Sequence, residues 1–182
     1  LTTPALQALA AANRDGRVPH VFGVVTDPAG AGVGIGTRNA LDHPPHLAGV
    51  GTFQPVREIF RLAKRIHPRL RVVGTVWCPA EKCSEACTLI AREIAAEQGL
   101  TLLEAPVDNS AGAYEAAVSL TARGAEALWV GGDNTVETAI GEIVTAASRA
   151  RIPVFVNTPD HVKVGALFGL GADYAVVGRA VG

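Results

Sequence analysis

Asp133-Asn134-Thr135 sets a carboxylate, an amide and a hydroxyl side by side, directly after Gly131-Gly132, a pair that permits close backbone approach. Such a cluster can hold an ammonium through Asp133 and hydrogen-bond a ligand through its neighbours. The same residue types also cap helix N-termini, so both uses stay open. Similar small polar groups follow other apolar runs: Glu81 and Ser84 after Arg71 to Trp77, Asn157-Thr158 after Pro153 to Val156, and Thr26-Asp27 after Val21 to Val25. At the N-terminus Thr2-Thr3-Pro4 opens a helix that carries Gln7 one turn on, and its free N–H groups and positive dipole end would suit a carboxylate. Trp77 and Trp129 end or nearly end their runs; Trp129 is expected in the core, and Trp77 either packs or stacks on a flat ligand.

Groups for catalysis are not assembled in the same way. His20, His43, His46, His67 and His161 are scattered, and none stands at a recognised spacing from a Cys or Ser nucleophile. His43-Pro44-Pro45-His46 could offer two metal ligands, but its prolines read better as a stiff linker. Cys78, Cys83 and Cys87 have gaps that match no common zinc or iron–sulfur spacing. Cys83 and Cys87 share a helical face with Ile90 and Ile94, which favours packing; a Cys78–Cys83 disulfide is the alternative in an oxidising compartment. Gly30 to Gly36 runs into Thr37-Arg38-Asn39 and two prolines, with no phosphate-holding helix behind it. The expectation is a protein that is not an enzyme and uses no cofactor and no metal.

The elements that place these groups alternate from Phe53 onward between amphipathic helical runs and short β-branched runs, the pattern of a parallel sheet covered by helices. Val56, Ile59, Phe60, Ala63 and Ile66 fall at helical spacing, and Arg71 to Trp77 reads as a strand. A helix from Glu81 to Glu97 stops at Gly99, and Leu100 to Val107 follows as a strand. Next come a helix from Ala113 to Ala122, a strand from Ala127 to Val130, a helix from Val136 to Arg149 and a strand from Pro153 to Val156. A short helix from Val162 to Leu170 and a closing strand from Tyr174 to Val177 complete the expectation. Earlier, a helix (Pro4 to Asn13) and a strand (Val21 to Val25) precede a loop rich in Gly, Pro and His. So small a unit makes no stable layer alone, which puts a lobe boundary near His46 to Gly51. The division expected is residues 1–48 as a partial first lobe and crossover, 49–170 as a second α/β lobe, and 171–182 as a returning strand or hinge. In an open parallel sheet, ligands bind beyond the carboxyl ends of the strands, where the polar groups named above lie.

With 48% apolar and 18% charged residues and a net charge of -1, the 182-residue chain has a core-forming composition and no Lys/Arg run to grip nucleic acid or an anionic membrane. A small neutral or zwitterionic partner fits better, and no nucleic acid is expected. No stretch approaches about 20 uninterrupted apolar residues. The chain starts at Leu1 and contains no Met, so a segment is expected upstream of it, in keeping with a mature exported protein or an excised fragment.

Thr3-Pro4-Ala5-Leu6-Gln7, Val25-Thr26-Asp27-Pro28, Gly49-Val50, Pro79-Ala80-Glu81, Asp133-Asn134-Thr135, Ile152-Pro153-Val154-Phe155, Val164-Gly165-Ala166-Leu167 and Asp173-Tyr174 with Gly178 occur in an order that resembles the ABC-transporter substrate-binding proteins of the tryptophan/tyrosine uptake type. The resemblance spans nearly the whole chain. It implies an α/β, type I periplasmic-binding-like fold with open parallel sheets flanked by helices, one complete lobe plus part of a second. It also implies a non-catalytic receptor that traps a small solute between two lobes, with an aromatic or branched amino acid as a candidate, and delivers it to an ABC permease in the membrane. Carried over by position, Thr3, Pro4, Gln7, Thr26 and Asp27 would line the first lobe, and Glu81, Ser84, Asp133, Asn134, Thr135 and Asn157 the second. Asp133 or Glu81 would take an ammonium, and Trp77 or Phe22 would supply apolar lining. A periplasmic or extracellular location follows, with lipid anchoring through an upstream segment. The chain departs from the family pattern where His43 to Gly49 replaces the usual crossover and where Cys83 stands before Ser84.

Two other readings remain. The chain could be the ligand-sensing domain of a larger regulatory protein. Alternatively, Gly171 to Arg179 looks like the phosphate-gripping end of certain (β/α)₈ barrel enzymes, although such barrels need about 250 residues.

Overall fold

The computed structural model describes residues 2–39 and 41–182. They fall into two compact units, 1–53 together with 172–182, and 54–171. The larger unit is a parallel five-stranded sheet with helices on both faces. Its chain order is α2 (Val56–Ile66), β3 (Val72–Trp77), α3 (Lys82–Glu97), β4 (Thr101–Pro106), α4 (Ala113–Ala122), β5 (Ala127–Val130), α5 (Asn134–Glu137), α6 (Ile140–Ala150), β6 (Val154–Val156) and β7 (Phe168–Gly169). The smaller unit holds α1 (Thr3–Ala12), β1 (His20–Val25), β2 (Leu47–Gly51) and α7 (Tyr174–Val181).

In the larger unit the strands lie in the order β4-β3-β5-β6-β7, with every pairing parallel. All four residues of β5 and all three of β6 are buried, as expected for strands covered on both faces. Alternation along each strand splits the core in two. Leu128, Val130, Val154 and Val156 pack with Leu120 of α4 and Ile143 of α6, whereas Val73, Trp129 and Phe155 pack with Phe60 of α2 and Ile94 of α3. Phe60 meets Trp129 and Phe155 edge to face at centroid distances of 5.2 and 5.5 Å. Each such fully buried aromatic contributes about 1.5–3 kcal/mol through burial. On the outer surface Arg57 of α2 ties this layer together by donating to Glu97 (2.7 Å) and Glu93 of α3.

Several elements differ from the sequence expectation for local reasons. The helix expected from Val136 to Arg149 is two helices, because Ala139 N–H closes on Val136 O (3.0 Å) while the Thr138 hydroxyl donates to Thr135 O (2.7 Å). The expected helix from Val162 to Leu170 is a 3-10 turn, Pro159–Val164, stopped by Gly165 at φ 113° and followed by β7. The expected closing strand at 174–177 is α7. There Asp173 Oδ1 accepts from the N–H groups of Ala175 (2.9 Å) and Val176 (3.1 Å), and this cap prevails over the β-branched valines that suggested a strand.

The sheet is open, with β4 and β7 at its edges, and Gly178 and Arg179 lie in a helix. This corrects the barrel alternative, which requires a closed eight-stranded sheet.

In the smaller unit β1 and β2 pair in parallel, and Leu6, Phe22, Val25, Ala31 and Leu47 form its core. The segment expected as a boundary is thus itself a strand. Two glycines disguise it, and Gly49 is required, since a Cβ there would come within 2.6 Å of the Phe22 ring. Val24, at φ 56°, breaks the ladder between Phe22 and Val25, and Val25 O then accepts from Thr52 N–H (2.8 Å).

Candidate functional site

The chain runs from β3 through α3 to β4 on one side of β3, then crosses back to place β5 on the other side. The strand order therefore reverses between β3 and β5. In open α/β sheets, ligands bind beyond the carboxyl ends of the strands at such a switch point. The loops after β3 and β5 are those that carry Glu81 and Asp133.

Asp133 caps α5 through Oδ1, which accepts from Val136 N–H at 2.8 Å. Its Oδ2 accepts from Cys78 N–H (2.7 Å) and the Ser84 hydroxyl (2.5 Å), joining the two loops across the reversal. The carboxylate is almost fully buried. Burial pushes its pKa up and the three donors pull it back, leaving it above the ordinary value.

Glu81 makes the return contact. Its oxygens accept from the backbone N–H of Asn134 (3.1 Å) and Thr135 (2.7 Å), from Asn134 Nδ2 (2.6 Å), from the Thr135 hydroxyl and from Cys83 Sγ (3.3 Å). Burial opposes its charge, but the donors on Thr135, Asn134 and Cys83 together outweigh it and hold the carboxyl below its usual range. Burial, and then the adjacent Glu81, push the Cys83 thiol up to about 12, so it stays protonated and unreactive. Cys78, Cys83 and Cys87 are all buried.

Asn157 follows β6 and is fully buried, accepting from Trp129 Nε1 (2.8 Å) and donating from Nδ2 to Leu170 O (2.8 Å). Gly131 keeps the preceding loop tight against Trp129, where a Cβ would sit 2.7 Å from the indole. Trp77 is half-buried; Arg92 covers its ring at 5.5 Å, and its Nε1 is buried without a partner. The structure thus gathers Glu81, Ser84, Asp133, Asn134 and Thr135 into one network, with Asn157 anchoring the next loop. The side chains of Asp133, Ser84 and Asn157 are spent on protein contacts, and Asn134 and Thr135 are the more exposed members.

The expected residues of the smaller unit have contacts of their own. Thr3 is buried at the start of α1, Pro4 is exposed, and Gln7 donates to Ala31 O (3.0 Å). Thr26 is buried, and Asp27 Oδ1 accepts from Gly30 N–H (2.9 Å). Beside them a cavity of about 490 Å³ is lined by Phe22, Asp27, Arg38 and His43 among others.

Sequence reasoning passed over Glu137, and it noted Thr158 only as a polar group after a strand and His161 only as one of the scattered histidines. The Thr158 hydroxyl, after β6, donates to Glu137 Oε1 (3.0 Å), and His161 Nε2 lies 3.9 Å from Oε2. Burial pushes the Glu137 carboxyl up to about 7, with Asp133 and Glu81 adding repulsion, while burial pushes His161 down. The one available signal was a carboxylate four residues after Asp133, on the same short helix as Asn134 and Thr135. Among the described residues, no group of three or more His, Cys, Asp or Glu side chains is placed to hold a metal ion, and no helix is long and apolar enough to cross a membrane.

An open α/β sheet with polar loops crossing at its switch point is the architecture of type I periplasmic-binding-like proteins, and comparison with solved structures agrees. A conserved domain protein from Vibrio cholerae superimposes with a TM-score of 0.90 at 30% identity, over 99% of this chain and 59% of that one. A Streptococcus pneumonia ABC domain in complex with L-Trp gives 0.89 at 24% identity, over 99% and 60%. The sequence model of the ABC transporter substrate binding protein family matches residues 1–182, and the chain belongs to that family. The tyrosine-binding protein of Clostridioides difficile is 24% identical over the whole chain, which spans 51% of that relative's length.

Proposed function

We propose that this chain is part of a receptor that holds a small organic solute, without chemical change, for an ABC import system. The observation that carries the reading is the meeting of the loops after β3 and β5 where the strand order reverses, with Glu81 and Asp133 locking them together. That lock makes a stiff rim, and a site held in shape before binding loses less affinity to ordering. An aromatic amino acid is the preferred solute class, supported by relatives named for tyrosine and solved with L-Trp. Capture between two lobes, the permease partner and a periplasmic or extracellular location belong to the same proposal and rest on family membership.

A screen of the full-length protein tests it. L-Tryptophan, L-tyrosine and L-leucine are compared with nucleosides and sugar phosphates by thermal shift, then by calorimetry. An aromatic amino acid should raise the melting temperature in a concentration-dependent way. Stabilisation by sugar phosphates alone, or by none of these solutes, would count against the reading.

A further inference from the structure

We infer that Glu137, and neither Asp133 nor Glu81, is the carboxylate that receives a cationic nitrogen of the bound solute. This rests on the solute-binding reading above. A carboxylate offers about four lone-pair positions. Asp133 gives three of its own to protein donors while almost fully buried, and Glu81 accepts from five protein groups. Glu81 is filled, and the one position left on Asp133 is closed off by burial, so neither can take an ammonium without opening the link between the β3 and β5 loops.

Glu137 sits in the same cluster of loops under opposite conditions. It accepts two hydrogen bonds, from the Thr158 hydroxyl and the Asp133 backbone N–H, which leaves about half of its acceptor positions open, and its side chain keeps 25% of its exposure. The facing groups on the packed elements are few. His161 Nε2, at 3.9 Å, is too far for a hydrogen bond, and its Nδ1 is buried with no partner. The side chains of Asp133 and Glu81 add negative charge. Lys163, the nearby lysine, is exposed and turned to Asp160 at 2.6 Å. A half-buried carboxylate with two donors, and with no Lys or Arg among the groups named around it, favours either a proton or a positive ligand. Burial pushes this carboxyl up to about 7, so below that pH it holds a proton. An arriving ammonium would displace it, so binding near pH 6 should release up to one proton and affinity should fall as pH drops below about 7.

The test uses the full-length protein and calorimetry, with L-tryptophan set against indole-3-propionate, which keeps the skeleton and lacks the amine. Wild-type protein should prefer tryptophan by tenfold or more at pH 8. Glu137→Gln should lose most of that preference while binding indole-3-propionate unchanged. Proton release, read at pH 6 from the dependence of the heat on buffer ionisation, requires no variant and should vanish in Glu137→Gln. Tryptophan binding with retained preference in Glu137→Gln, or with no proton release by wild type, would overturn the role of Glu137 and leave the solute-binding reading standing. Failure of every amino acid and every other screened solute to bind wild type would overturn both.

Discussion

Asp27 and Asp133 each follow a strand, and each accepts a backbone N–H from three residues on, at 2.9 and 2.8 Å. There the likeness ends. Asp27 is half-buried and serves its own turn. Asp133 is almost fully buried and also accepts from Cys78 and Ser84, about fifty residues earlier in the chain, on the far side of the sheet reversal. One carboxylate shapes a loop; the other joins two. The difference teaches that residue type and local spacing announce a cap but not its reach, and the reach decides whether a group stays available to a ligand.

The largest expected effect tests that contrast at Asp133. Asp133→Ala strands the Val136 N–H and the Ser84 hydroxyl, at about 1–3 kcal/mol each, leaves Cys78 N–H only its 3.2 Å bond to Ser84 Oγ, and should cost about 3–5 kcal/mol by denaturant unfolding of the full-length protein. A loss below about 1 kcal/mol would show that the link between the β3 and β5 loops carries little.

The next effect is a stabilisation at Glu137. An unfolded glutamate titrates near 4.5 and the folded one near 7, so between these values the native state binds the proton that the unfolded state has released. This group's contribution to stability is therefore lost as pH rises through that window. Glu137→Gln keeps the Thr158 contact and removes the charge, so it should stabilise the ligand-free protein by about 1–2 kcal/mol at pH 8 and hardly at all at pH 4. Equal effects at both pH values would exclude this origin. The smallest effect is expected from Asp27→Ala, about 0.5–1 kcal/mol, the ordinary cost of a local cap.

Much of the fold was legible because it follows from periodicity. β-branched runs such as Val72 to Val76 and the apolar stripe of Val56, Ile59, Phe60 and Ala63 mark strands and a helix whatever their partners are. β2 was not legible, since Leu47-Ala48-Gly49-Val50-Gly51 has little strand character of its own and is held by pairing with β1. α7 was misread because Asp173 decides that segment through a cap, against the preference of its valines. For the candidate site, the residue types were visible and their partners were not. Glu81 reads as a free carboxylate in sequence, and only the crossing between β3 and β5 turns Thr135 and Asn134 toward it. Glu137 lacked any motif, and its character comes from burial against Thr158 and His161.

Hydrogen exchange on the full-length protein, with and without L-tryptophan, is the most direct check on the strand-end loops as the place where a solute is held. Ligand-dependent protection should concentrate in residues 78–84, 131–137 and 157–161. Protection confined to 104–112, or none anywhere at saturating tryptophan, would contradict it.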